Sequence, residues 1–210
     1  MQTKLVIKAW PLTALFWLGA NVFGFGLAGA LFHNFPLAGD FPPDLTHLGR
    51  FSLQPALVGG VLFGFVPALP TGLLQYVILR RHQPISRWWI ASVAAGVGLM
   101  HFFSDGFENA RDLSGVVFVS GLLVGWLQRR LLRPAPAGWL PATACGWYVG
   151  WLMGLRLLQT VGLRYQPWAP GLDAQQHGLL GLMMGISVSL SAGWLWLRRR
   201  PVGDPRPAAV

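Results

Sequence analysis

Four of the five histidines, His33, His47, His101 and His177, stand beside long uncharged runs; His82 lies in a basic stretch. His101, Asp105 and Glu108 are spaced i, i+4, i+7, which places them on one helix face if the helix continues that far. Imidazoles at such positions can ligate a haem or a chlorophyll-type pigment, with His33, His101 and His177 as the candidates, or can simply hydrogen-bond at an interface. The chain has no closely spaced set of His, Cys and carboxylate side chains of the kind zinc requires, so no metal site is expected. Its single cysteine, Cys145, excludes an intrachain disulfide. Phosphate-binding loops and flavin or nicotinamide fingerprints are absent. Arg156 is a cation inside an otherwise uncharged stretch. Such a group either reaches back to water along its aliphatic stem or pairs with a carboxylate, and Asp105, Glu108 and Asp112 form the densest acidic cluster.

The elements that must position these residues are apolar helices. Charged residues make up 11% of the 210 and mean hydropathy is +0.49, whereas soluble domains carry roughly 25% charge. Uncharged runs cover 9–39, 51–79, 88–104, 113–128, 134–155 and 174–197. About 20 apolar residues cross a bilayer core, so the expected fold is all-α: a six-span membrane bundle in one domain. The expected spans are 9–33, 53–79, 88–104, 113–128, 139–163 and 174–197, with a disordered tail at 201–210. Pro67 and Pro70 predict a kink or a break in the second span. The composition argues against a soluble enzyme, and runs of this length argue against a β-barrel.

Threading the chain with its N-terminus in the cytoplasm puts 12 of the 16 Lys and Arg on the inner side, including Arg80, Arg81, Arg129, Arg130 and Arg133. Lysine and arginine bias orients membrane helices. The net charge of +9 therefore reads as topology in a bacterial cytoplasmic membrane with both termini inside. It points to anionic lipid headgroups as partners, and not to nucleic acid.

Glycines four apart let helix backbones approach closely. They occur at Gly60/Gly64, Gly121/Gly125, Gly146/Gly150/Gly154 and Gly181/Gly185, and imply packing within the bundle or against another subunit. There is also an internal repeat. Gly72-Leu73-Leu74-Gln75, then Leu79-Arg80-Arg81 and Trp88-Trp89, is echoed by Gly125-Trp126-Leu127-Gln128, Leu132-Arg133 and Trp139, with a glycine offset of 53 residues. Arginine holds each hairpin at the inner side, tryptophan is expected at the interface, and Gln75 and Gln128 are candidates for hydrogen bonds between helices. This hairpin resembles uncharacterised multi-span bacterial membrane proteins with Gly-x-x-Gln-x-x-x-Leu-Arg repeats followed by tryptophan. The resemblance covers residues 60–150 and implies six spans without naming an activity.

Asp112-Leu113-Ser114-Gly115 opening one span and His177-Gly178 opening another resemble segments of rhomboid intramembrane serine proteases. That resemblance implies Ser114 as nucleophile and His177 as its base. The chain departs from the family in having Asp112 two residues before the serine, and in lacking His and Asn in its second span. Without a complete catalytic set, the leading reading is a non-enzymatic helical subunit or scaffold of a larger membrane complex, energy-transducing or pigment-associated. A rhomboid-like protease and a small-solute transporter component are the alternatives.

Overall fold

A computed structural model describes residues 13–26, 47–48, 51–52, 61, 64–104, 113–162 and 174–197. The fold is all-α. Six helical segments follow one another: α1 over 13–26, α2 at Val66–Leu79, α3 at Trp88–Ser104, α4 at Leu113–Leu131, α5 at Trp139–Thr160 and α6 at Ala174–Val188. The last runs without interruption through a π-helical turn, Ser189–Gly193, into α7 at Trp194–Leu197. A minimal antiparallel pair, β1 (His47–Leu48) with β2 (Phe51–Ser52), lies between α1 and α2. Among the described residues, no helix is long and apolar enough to cross a membrane.

Local chemistry explains where the helices start and stop. Pro67 occupies the first turn of α2, where its missing amide is not needed, and π-type backbone precedes it at 64–65. The break expected from the two prolines is thus a change of helix type at the entrance, while Pro70 is carried inside α2. Gly138 caps the start of α5 with φ of +80°, and Gly162 follows its end with φ of +78°. Both are left-handed positions that favour glycine.

Each helix from α2 to α6 packs on the next, and contacts at glycines show the α2–α3, α4–α5 and α5–α6 pairs to be antiparallel. A Cβ on Gly64 would lie 2.7 Å from Gly98 Cα, and one on Gly72 2.8 Å from Ile90 Cα, joining α2 to α3. Gly121 meets Ala144 Cα at 2.9 Å and Gly125 meets Leu140 Cα at 3.1 Å, joining α4 to α5. On the opposite face of α5, Gly146, Gly150 and Gly154 oppose Val188, Met184 and Leu180 of α6. Helix α1 closes the ring. Gly24 rests on Thr71 of α2, while Gly181 and Gly185 of α6 rest on Phe25 and Asn21. Gly60 lies outside the described residues.

Two apolar clusters fill the bundle. One runs through its body around Val93, Val117, Val124, Trp147 and Trp151. The other joins Trp17, Leu79, Trp89, Leu132 and Trp139 at the end where the α2–α3 and α4–α5 loops lie. The tryptophans depart from expectation here. Trp17, Trp89, Trp139, Trp147 and Trp151 are all buried, and Trp88, Trp126 and Trp194 are exposed. Because glycine at the crossings brings backbones close, the space that remains between helices takes the large indoles.

Candidate functional site

Four buried polar side chains, Asn21, Gln75, Gln128 and Thr143, lie inside the bundle towards the end that carries the two loops. Asn21 of α1 donates from Nδ2 to Trp17 O at 2.8 Å. Gln75 of α2 donates from Nε2 to Asn21 Oδ1 at 2.6 Å, and its Oε1 accepts the Trp89 indole N–H of α3 at 3.0 Å. Three helices are thus linked by one buried amide, with Asn21 at 0%, Gln75 at 2% and Trp89 at 0% exposure. Buried polar groups of this kind are tolerated only when paired.

The second hairpin repeats the geometry but not the bonds. Ile90, which follows Trp89, sits against Gly72; Leu140, which follows Trp139, sits against Gly125. Gln75 therefore corresponds to Gln128, and Trp89 to Trp139. The Trp89 and Trp139 rings meet with centroids 6.1 Å apart at an interplanar angle of 58°. Yet Trp139 Nε1 is buried without a hydrogen-bond partner among the described residues, and Gln128, also buried, faces a cavity. The difference traces to Asn21. It fixes the Gln75 NH2 group and so turns Oε1 towards Trp89, and no described residue does the same for Gln128.

The cavity measures about 10 Å³ and draws its lining from all six helical segments, including Gln75, Gln128, Trp139 and Thr143. Thr143 Oγ1 donates to Trp139 O at 2.9 Å, which leaves that hydroxyl an acceptor towards the cavity. The volume admits about one water molecule, far below the roughly 300–1,000 Å³ of a small-molecule pocket.

The remaining sequence-derived candidates are dispersed. His101 of α3 is partly buried, and its Nδ1–H donates to Val97 O at 2.9 Å; ligation by this ring would have to use Nε2. His33 lies outside the described residues. His177 lies in the first turn of α6, and its side chain is outside the described part of the structure. Ser114 opens α4, is 6% exposed, and its Oγ has no hydrogen-bond partner among the described residues. Helices α4 and α6 each pack on α5, which lies between them. Arg156 is exposed on α5 and donates to Gln159 Oε1 at 3.4 Å. It is therefore not buried in the bundle, because its position on α5 falls beside the face that packs on α6. Asp105, Glu108 and Asp112 lie outside the described residues. Among those described, no group of His, Cys, Asp and Glu side chains could hold a metal ion.

The seven charged side chains among the described residues are all arginines. Six of them, Arg80, Arg81, Arg87, Arg129, Arg130 and Arg133, flank the two loops. Arg80 stacks over Tyr76 at 5.6 Å and Arg130 over Trp126 at 4.2 Å. No family model, curated protein or solved structure matches the chain.

Proposed function

We propose that this chain is a membrane-embedded helical bundle serving as a non-enzymatic subunit or scaffold of a larger complex in the bacterial cytoplasmic membrane. One observation carries the reading: the helices turn apolar side chains outward as well as inward, and their amides lie inside. Asn21, Gln75, Ser120, Gln128 and Thr143 are buried, while Phe16, Phe23, Leu73, Val119, Met153 and Leu190 are among the large apolar side chains left exposed. Soluble monomers rarely expose contiguous apolar patches beyond a few hundred Å². Lipid-facing helices are apolar on their outer faces and hydrogen-bond among themselves inside.

Helix length bears on the same point. Trp88–Ser104 has 17 residues and Trp139–Thr160 has 22, about 25 Å and 33 Å at 1.5 Å per residue. The hydrocarbon layer is roughly 30 Å thick. In Trp139–Thr160 the hydropathy is diluted by tryptophan, glycine and Arg156. Glycine is frequent in membrane helices, and tryptophan is favoured at their ends. The six arginines at one end, two of them stacked on aromatic rings, suit the headgroups of an anionic leaflet.

Membranes washed at alkaline pH and then opened with a mild detergent test the reading. The chain should stay in the washed pellet and then migrate on a native gel with stoichiometric partner chains. Release by the wash would remove the membrane assignment. An isolated colourless monomer would remove the subunit assignment. The absorption spectrum of the same band decides whether a haem or pigment travels with it.

The buried Ser114 hydroxyl, without a hydrogen-bond partner among the described residues, favours one second reading, a rhomboid-like serine protease with His177 as the base. A fluorophosphonate should then label the chain, with labelling lost in Ser114→Ala and His177→Ala. No labelling of the folded protein removes that reading.

A further inference from the structure

We infer that the central cavity is a binding site for one water molecule, held between the second hairpin's Gln128 and Trp139. Three observations converge on this. The Trp139 indole N–H is 99% buried by residue and has no acceptor among the described residues. A buried donor left unmade costs about 1–3 kcal/mol. The cavity that Trp139 lines is about 10 Å³, which is room for one water and nothing larger. Its polar lining is also complementary to water. Trp139 supplies a donor, Gln128 supplies an amide with both donors and an acceptor, and the Thr143 hydroxyl, its proton spent on Trp139 O, supplies an acceptor. A water accepting from Trp139 and donating to Gln128 and Thr143 makes three hydrogen bonds, the usual number for a buried water.

The first hairpin shows what the water replaces. There the indole of Trp89 reaches Gln75 Oε1 directly at 3.0 Å, because Asn21 orients that amide. Among the described residues the second hairpin has no counterpart of Asn21, so the same pair is closed through a bridging molecule. Water therefore restores within the second hairpin the link that its side chains alone leave incomplete, beside the place where the Trp89 and Trp139 rings meet. The inference does not depend on where the bundle resides.

Indole-¹⁵N tryptophan labelling of the full chain in detergent micelles tests the site, with Trp139→Phe and Trp89→Phe assigning the two resonances. The Trp139 indole proton should show a water cross-peak in a water-selective Overhauser experiment; the Trp89 indole proton should show none. In Gln128→Leu the Trp139 resonance should persist while its water cross-peak falls at least several-fold. Where Gln128→Leu does not fold, Thr143→Val provides the same comparison. A wild-type Trp139 indole without a water cross-peak overturns the inference, as does a cross-peak unchanged in the folded variants. A failed alkaline-wash experiment leaves this result intact, so the two proposals fall separately.

Discussion

Gln75 ties α1, α2 and α3 together through two side-chain bonds, and truncating it orphans two groups at once. Gln75→Leu leaves the Trp89 N–H and Asn21 Oδ1 buried without these partners. At about 1–3 kcal/mol for each of the two stranded groups, the variant should lose about 2–6 kcal/mol in reversible detergent unfolding. The double variant Gln75→Leu/Trp89→Phe should be less destabilised than the sum of the singles, because it removes both ends of one bond; strict additivity would show that the bond contributes nothing. A second residue-scale effect concerns His82, which lies in the α2–α3 loop 3.5 Å from Thr13 Oγ1. Burial first, and then the Arg81 guanidinium, hold its pKa below the ordinary histidine value. The folded state therefore resists protonation, and the unfolded state takes up the proton first as pH falls below about 6.5. Stability should be constant above that pH and decline below it, and His82→Gln should flatten the decline. An unchanged pH profile in His82→Gln would assign the decline to other groups.

At the scale of helices, the glycines fix how close the backbones come, and substitution sorts them sharply. A Cβ on Gly150 would stand 2.5 Å from Met184 Cα, and one on Gly72 2.8 Å from Ile90 Cα, both against backbone that cannot swing aside. Gly150→Ala and Gly72→Ala should each cost about 1–3 kcal/mol by overpacking. Gly115→Ala should be neutral or stabilising by up to about 1 kcal/mol, since no described residue comes within 4 Å of the added methyl. Equal effects at the three sites would mean that the crossings are not close-packed. Much of this was readable beforehand. Glycine spacing points to Gly121, Gly125, Gly146, Gly150, Gly154, Gly181 and Gly185, and the expected spans open at Trp88, Leu113, Trp139 and Ala174, where helices begin. Gly72 was visible only as part of the repeat, because its partner Ile90 carries no glycine signal. Asn21 escaped notice because a single amide in an apolar run has no periodicity. Its one signal was that an amide among apolar neighbours needs a partner. The tryptophans were misplaced because interfacial preference describes the end of a helix but not its face. Trp88 and Trp89 are adjacent, yet one is 74% exposed and the other fully buried.

For the whole molecule, the apolar outer surface makes a prediction that turns on the one thiol. Cys145 lies on α5 and its side chain is exposed on the bundle surface. Two residues before it Thr143 is buried, and one residue after it Gly146 packs on α6, so the cysteine sits on the outer face that the membrane reading assigns to lipid. Surface exposure and water access then part company. In a water-soluble bundle an exposed thiol reacts with any maleimide. In a bilayer the same thiol meets hydrocarbon, where a charged reagent does not enter. In intact membranes Cys145 should resist a sulfonated maleimide, yet react with it once the chain is unfolded in SDS. A cysteine introduced at Gln83, in the loop between the arginines, should react with the charged reagent in inverted vesicles and not in sealed right-side-out ones. Free labelling of Cys145 by the charged reagent in both preparations would place that face of α5 in water and end the membrane reading, whatever the hydropathy of the chain. Protection at Cys145 combined with sided reactivity at position 83 requires both a lipid-facing α5 and an arginine end held in the cytoplasm. Exposed apolar side chains buried in a soluble assembly could reproduce the first result, but they could not produce the second.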